Sequence, residues 1–394
     1  MKILFVLNSF FASGNGLSSS ARRTVAYLKQ AGHDVRVMSG PHPNDPKTEP
    51  DYLLKEYIFP IVHPIIKAQG YHFAQSNLPL MEEAARWADI VHLEEPFVIE
   101  DRMLHICERL GKPVTATYHL HPENITNSLG PLRHWNGLNR IILRAWRNHT
   151  FNHCEYVQCP SENVLDRLRR YHIHAKLELI SNGIVPDKCI REENPPEDYE
   201  KPDRPLKLVY IGRLSKEKDQ TTLLEAMRHS HFAKRIQLHF AGKGPSEKAL
   251  RRKARRLVED GVLTYEPVFT FENSDGLREL AAGADLCIHC ATIEVEGLSI
   301  MEAMQQGAVP IIAQGRYSGT AQFAIDRHCV FPERNPEALA HRIDYWLSHP
   351  GKRWKTGWEY VEHMENYDIR KSVEKMVQMF RKAIEQKKGS QASI

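Results

Sequence analysis

The chain has 394 residues, with 53 Lys and Arg against 49 Asp and Glu and a formal net charge of +4. That is too long for one ordinary core and suits two domains of roughly 150 to 200 residues each. So slight a positive balance excludes a nucleic-acid face built on concentrated charge, and leaves anionic small molecules or an anionic membrane surface as charged partners. Seven cysteines, an odd number, lie mostly in apolar runs and read as reduced thiols of a cytosol, not a disulfide framework. Cys287 and Cys290 form a lone CxxC inside a strand-like run, so packing explains them better than zinc does. With no uncharged run of about 18 apolar residues, no membrane span is expected.

The opening MKILFVLNSFF has the lysine and apolar run of a signal peptide, but no small-residue cleavage site follows, and a first sheet strand explains it better. DVRVM, DIVHL, PVTAT, EYVQC and KLELI follow as strands, with helical stretches such as ARRTVAYLKQAG between most of them. Gly14, Asn15 and Gly16 stand between the first strand and the first helix, where N–H groups could cradle a phosphate. A plain tight turn explains them equally well, because the third glycine of the dinucleotide fingerprint is missing.

IFPIVHPIIKAQGYHF, at 58–73, is apolar and broken by proline, and could form an acceptor groove or touch a bilayer. After PVTAT, the text TYHLHPEN offers His119, His121 and Glu123. H-x-H hints at a metal, yet no D-x-D and no further ligand at suitable spacing accompanies it, so no metal is expected. RHWNGLNRIILRAWRNH, at 133–149, is basic and helical with Trp135 and Trp146, either an interfacial helix or a helix packed on the sheet with a solvated basic face.

REENPPEDYEKPDRP, at 191–205, is charged and proline-rich and reads as a linker or surface excursion. The alternation then restarts with KLVYI, a helix near 221–227, IQLHFA, a basic helix at 246–257, DLCIHC, a helix after Glu294, and VPIIA. A last helix at 369–384 ends in the polar tail QKKGSQASI, expected to fray. The expected fold class is α/β, two tandem Rossmann-like doubly wound domains facing a cleft. Their bounds are 1–184 and 185–368, with 369–394 packing back toward the first domain.

EVEGLSIME, at 294–302, joins a strand to a helix. In a parallel sheet such a loop lies at the carboxyl ends of the strands, where ligands bind, and the helix N-terminus offers N–H groups to an anion. Glu294 and Glu302 bracket Gly297, which lets a ligand approach the backbone closely. Ser299 and Glu302 also have S-x-x-E spacing, so a capping box accounts for Glu302 at least as well as a ligand does. For Glu294 the competing explanation is a solvated loop carboxylate. YIGRLSKEKDQ places Gly212, Arg213 and Lys218 after a strand, the two cations either suited to a diphosphate or simply exposed. AGKGP adds Gly242 after the next strand.

Taken in order, these stretches resemble the family 4 retaining glycosyltransferases of GT-B fold over nearly the whole chain. EVEGLSIMEAMQQGAVPIIA is similar to the family's Glu, seven residues, Glu signature, and GRLSKEKD to its diphosphate-binding segment. AGKGP is similar to its glycine turn, CPSENVLDRL and ISNGIVPD to the crossing between domains, and ASGNG to its N-terminal glycine loop. Val295 and Glu296 stand where the commonest form has Gly and Phe, while Gly297 and Leu298 are retained. That variant, with SGTAQFAID at 318–326, is similar to members that glycosylate membrane lipids such as diacylglycerol.

The resemblance implies that Glu302 binds ribose hydroxyls of a nucleotide sugar and that Glu294 holds hydroxyls of the donor sugar. Arg213 and Lys218 would neutralise the diphosphate, helped by the N–H groups of Gly297 and Leu298, with Gly212 and Gly242 lining the donor site. Gly14, Asn15 and Gly16 would approach the phosphates or the acceptor, and His119 would lie near the sugar and acceptor. Transfer would retain the anomeric configuration by front-face attack, with no enzyme nucleophile, metal or cofactor beyond the donor. UDP-glucose is the family-level expectation, with UDP-galactose and GDP-mannose open. The implied partners are that donor, a lipid or glycan acceptor and an anionic membrane surface, with no nucleic acid. The implied location is cytoplasmic, peripheral on the inner face of the membrane. Competing readings are transfer to a soluble or cell-envelope saccharide, a GT-B epimerase or phosphorylase, and a non-catalytic nucleotide-sugar-binding protein. The last is disfavoured because both glutamates, the arginine and the lysine are present.

Overall fold

Short apolar runs rich in Val, Ile and Leu become parallel strands, buried on both faces in the middle of each sheet, and the amphipathic segments between them become the helices that cover those faces. The structure is a computed structural model that describes residues 1–12, 16–42, 45, 47–58, 72–127, 136–197, 199–201 and 203–392. It divides into one unit of Met1–Val185 with Ile369–Ile394 and a second of Pro186–Asp368.

In the first unit, strands β1 (Lys2–Val6), β2 (Asp34–Ser39), β3 (Tyr52–Leu53), β4 (Ile90–Leu93), β5 (Val114–Thr117), β6 (Tyr156–Cys159) and β7 (Lys176–Leu179) form one sheet. Their order is β3-β2-β1-β4-β5-β6-β7. The strand order reverses between β1 and β4, which pair in parallel with Ile3 opposite Ile90. Such a switch point opens a crevice at the carboxyl ends of the strands, where Asn8, Glu94 and Glu95 stand. The covering helices are α1 (Gly16–Gln30), α2 (Leu78–Trp87), α3 (Val98–Leu110), α4 (Pro122–Thr126), α5 (Asn136–His149) and α6 (Glu162–Arg170).

In α5 the pattern resolves into an inward face carrying Leu143 and Trp146, both buried, and an outward face carrying Arg140, Ile141 and Arg144. Trp146 meets the ring of Phe97 edge-on at 6.3 Å, so it belongs to the core and is not an interfacial anchor. Trp135 and the apolar stretch 59–71 lie outside the described residues, as do Gly14 and Asn15.

The second unit repeats the design. Strands β8 (Leu206–Ile211), β9 (Ile236–Ala241), β10 (Val268–Thr270), β11 (Leu286–His289), β13 (Val309–Gln314) and β15 (Val330–Pro332) are ordered β10-β9-β8-β11-β13-β15. The two-residue strands β12 (Ile293–Glu294) and β14 (Tyr317–Ser318) pair separately. Its helices are α7 (Gln220–Ala226), α8 (Glu247–Glu259), α9 (Ser274–Ala282), α10 (Leu298–Gln305), α11 (Pro336–Leu347) and α12 (Pro350–Met364).

The proline-rich segment 191–205 is not a free tether. Arg191 stacks on Trp354 at 4.0 Å, the Arg353 guanidinium donates to the Tyr199 hydroxyl at 2.8 Å, and Arg204 pairs with buried Asp285 at 2.6 Å. These anchors hold its otherwise polar text against the second unit.

The last helix, α13 (Ile369–Ala392), belongs to the first unit. Its buried face, Ile369, Val373, Met376, Phe380 and Ala383, joins the cluster of Ile3, Phe5, Val25, Leu28 and Val35. The helix runs through QKKGSQ to Ala392 and does not fray after Ile384; on the way Lys382 pairs with Glu178 and Lys387 with Glu155, both at 3.0 Å. No helix among the described residues is long and apolar enough to cross a membrane.

Candidate functional site

The carboxyl ends of β8, β9 and β11 in the second unit carry most of the candidate residues. The loops after β8 and β9 are laid directly on each other: the Gly212 N–H donates to the Ala241 carbonyl at 3.0 Å, and the Leu214 N–H to the Lys243 carbonyl at 3.0 Å. Gly242 has φ 156°, and any Cβ there would collide with the Gly212 carbonyl. Its glycine is therefore explained by backbone packing of one loop on the other.

The loop after β8 is then fixed to the loop after β11. Tyr210 donates its hydroxyl to the Lys218 carbonyl at 2.7 Å, and the Thr292 N–H donates to the Glu217 carbonyl at 2.9 Å. Between these two ties the Lys218 ammonium forms an ion pair with Glu294 Oε2. Burial alone would push the Glu294 carboxyl up, but the Lys218 charge holds it below the usual carboxylate range. Arg213, on the same loop, is half-buried, and its guanidinium makes no hydrogen bond or ion pair with any described residue.

Glu294 is held from its backbone as well. β12 and β14 pair Glu294 with Ser318, and the Gly319 N–H donates to the Glu294 carbonyl at 2.9 Å. The segment SGTAQFAID thus buttresses the loop that carries Glu294. Helix α10 starts at Leu298 with Gly297 as its N-cap, in the left-handed region at φ 96°. A Cβ on Gly297 would lie 3.0 Å from the Thr320 methyl.

The S-x-x-E capping box is not formed. Ser299 is already the second residue of the helix, and the cap carries no side-chain hydrogen bond. A left-handed glycine can turn the chain directly into a helix, so the cap falls at Gly297, two residues before the serine that the spacing singled out. Glu302 stands half-buried in the first turns of α10, and Leu298 carries one of the N–H groups that a helix start leaves without an intrahelical acceptor.

Two side chains here escaped the sequence reading. Tyr210 and His289 lie nearly parallel, 13° apart with ring centroids at 6.4 Å, and His289 Nε2 is 3.7 Å from Glu294 Oε2. In the sequence both look like ordinary members of a buried strand.

In the first unit the H-x-H pair is split. His119 Nε2 reaches Glu94 Oε2 at 2.5 Å, whereas His121 turns to the Tyr118 hydroxyl at 3.1 Å and to Arg167 at 3.0 Å. Glu123 pairs with Arg167 at 2.9 Å, and so joins neither histidine in a ligand set. Among the described residues no group of three or more His, Cys, Asp or Glu is placed to hold a metal ion. Glu94 is a second partner that sequence reasoning passed over, although HLEE repeats acidic residues directly after an apolar strand. Gly16 is the exposed first residue of α1, and a Cβ there would meet nothing within 4 Å.

The arrangement can therefore bind an anion with two cations and a helix start beside a partly buried carboxylate. Comparison with known proteins says which kind of protein builds it. The family described as "Glycosyltransferase Family 4" matches residues 14–188, and that described as "Glycosyl transferases group 1" matches residues 191–367. The chain belongs to the family 4 glycosyltransferases.

This glycosyltransferase is similar to the alpha-monoglucosyldiacylglycerol synthase of Streptococcus pneumoniae, 26% identical over 80% of this chain and 71% of that one. It is also similar to a GDP-mannose-dependent alpha-mannosyltransferase of Mycolicibacterium smegmatis, 24% identical over 79% of each chain. In fold it matches the solved sucrose-phosphate synthase of Thermosynechococcus elongatus with TM-score 0.70 and 18% identity, over 97% of this chain and 98% of that one. The fold is GT-B. The group 1 match covers the whole constellation from Gly212 to Glu302, and the family 4 match covers Gly14 to Gly16 and His119.

Proposed function

We propose that this glycosyltransferase moves a hexose, glucose by preference, from a nucleotide sugar to a hydroxyl of a membrane lipid such as diacylglycerol or a glycolipid, with retention. The observation that carries the donor half is the cation arrangement after β8: Arg213 has no counter-charge among the described residues, and Lys218 is poised on Glu294. Together they suit a diphosphate, whose charge grows as the bond to the sugar breaks. Glu302 is assigned to the ribose and Glu294 to the sugar hydroxyls, and the first unit, with His119, is assigned to the acceptor.

In the step itself the sugar C1–O bond to the diphosphate breaks, and the acceptor oxygen bonds to C1 on the same face. The acceptor proton passes to an oxygen of the leaving diphosphate. Two protein cations do the work often given to a metal, so activity is expected to persist in chelator. The lipid acceptor draws support from the Streptococcus pneumoniae relative, whose name is that of a diacylglycerol glucoside synthase. The mannosyltransferase relative keeps GDP-mannose as the second donor to try. The reading also puts the enzyme on the cytoplasmic face of the membrane, bound peripherally to anionic lipid.

The test is incubation with UDP-glucose, UDP-galactose or GDP-mannose in mixed micelles of diacylglycerol and anionic lipid, with product lipids separated and their anomeric coupling measured. An α-glucosyl lipid is the expected product. Transfer only to soluble saccharides would replace the acceptor, and isomerised sugar without any acceptor would replace the reaction class with epimerisation.

A further inference from the structure

His289 ends β11 on the side of the sheet that carries Glu294, and it is 2% exposed. Its Nε2 is buried and has no hydrogen-bond partner. A buried polar nitrogen left unpaired is costly, and such an atom in a folded protein calls for a reason. The nearest carboxylate oxygen is the same Oε2 of Glu294 that Lys218 holds, 3.7 Å from Nε2. The ring is kept in place by its near-parallel neighbour Tyr210, whose hydroxyl also fixes the Lys218 carbonyl.

We infer that His289 is a positioning residue that takes over the Glu294 carboxylate when an anionic ligand draws Lys218 away. This rests on the reading of Lys218 as a diphosphate ligand. Without the hand-over, recruiting Lys218 to a phosphate would strand a largely buried carboxylate, and the ligand would bear that penalty. With it, Glu294 needs only a small movement to accept a hydrogen bond from Nε2–H. One carboxylate oxygen is then held by the histidine and the other is free for a sugar hydroxyl. Burial holds the imidazole neutral, its pKa pushed down to about 4, so the ring can donate one hydrogen bond without introducing a second positive charge. Two further facts fit an exchange of partners: Glu294 keeps its backbone fixed through β14, and its carboxylate is the shared acceptor of both candidates.

The test is calorimetric binding of UDP and GDP to the full chain and to His289→Leu and His289→Gln, with melting of each ligand-free protein as the companion measurement. Leucine removes the donor at similar volume, and glutamine restores an N–H near the position of Nε2. For whichever nucleotide the unmodified enzyme binds, His289→Leu is expected to weaken binding about tenfold, and His289→Gln to stay within about twofold. The ligand-free melting temperature of the leucine variant is expected to be unchanged or raised, because an unpaired buried nitrogen has gone. Equal binding by the leucine variant, or equal weakening in both variants in step with lost melting temperature, overturns the inference. If leucine prevents folding, a tenfold loss in the glutamine variant does the same. Failure of the unmodified enzyme to bind either nucleotide overturns the donor reading itself and takes this inference with it.

Discussion

His119 Nε2 lies 2.5 Å from Glu94 Oε2 just beyond the ends of two adjacent parallel strands, with both side chains almost wholly shielded from solvent. The other Glu94 oxygen faces His92 Nε2 at 3.5 Å, and that ring is pinned by Thr115 and Thr117 at 2.9 Å each. Burial would raise the Glu94 carboxyl, but His119 first and His92 second outweigh it and hold the carboxyl below its usual range. A carboxyl depressed in the folded state contributes stability above its unfolded pKa of about 4.3, and that contribution is lost as pH falls through the folded value. Glu94→Gln is therefore expected to melt lower at neutral pH and to lose less on acidification than the unmodified chain. If His119 serves transfer, the same change should lower turnover about 100-fold while leaving nucleotide affinity alone, since the donor residues lie in the second unit. Melting across pH 3 to 8 (approximate range) and steady-state kinetics check both halves.

Glu95 and Glu100 behave in the opposite sense. Both are buried and share Asn8, whose side-chain amide donates to Glu95 at 3.0 Å and to Glu100 at 3.1 Å. Burial first, and the neighbouring negative charge second, raise the Glu100 carboxyl well above the usual range. A raised carboxyl contributes stability below its unfolded pKa and loses it as pH rises through the folded value. Glu100→Gln keeps an acceptor for Asn8 and cannot ionise. Its melting temperature should exceed that of the unmodified chain near neutral pH, by about 2–4 °C for each kcal/mol recovered, with the gain shrinking toward pH 4 (approximately). A gain independent of pH would mean that the carboxyl does not ionise in this range.

Long strands were legible because each needs only its own apolar run: KILFV, LKLVYI and VPIIAQ fall where the text places them. Ile293–Glu294 and Tyr317–Ser318 were not, because a two-residue pair has no periodicity and exists only through its partner. The candidate carboxylates and cations could be named, but the Lys218 to Glu294 pairing joins residues 76 apart and leaves no local signal. The S-x-x-E spacing misled because it weighs the serine and ignores that Gly297 can begin a helix from the left-handed region. His289 was invisible for the converse reason. Inside DLCIHC it occupies a core position, and only the fold shows that its nitrogen faces a carboxylate.

Lys218→Met isolates the ion pair. Both partners are about a fifth exposed, so stranding Glu294 should cost less than the 3–5 kcal/mol typical of a fully buried pair, about 1–3 kcal/mol. Adding Glu294→Gln removes the stranded charge and should return most of that stability. Nucleotide affinity should stay low in both, because the cation is missing from each. Chemical denaturation gives the stability and calorimetry the affinity; recovery of affinity in the double variant would assign Lys218 to holding Glu294 and nothing more.

Gly297→Ala tests whether the entry into α10 is built from conformation or from space. At φ 96° an L-residue costs about 1–2 kcal/mol, and the new Cβ would in addition press on Thr320 at 3.0 Å. Asparagine tolerates the left-handed region better than alanine but carries the same Cβ, so Gly297→Asn should recover the conformational part only. Thr320→Ala in the Gly297→Ala background should recover the steric part only, by removing the methyl and hydroxyl that the Cβ meets. Melting of the set separates the two contributions, and nucleotide binding shows which matters for the anion site: the N–H groups of α10 point correctly only if the turn keeps its shape. If Gly297→Asn binds nucleotide nearly as well as glycine does, the left-handed turn sets the site. If only the Thr320→Ala background restores binding, the close approach of the two loops sets it.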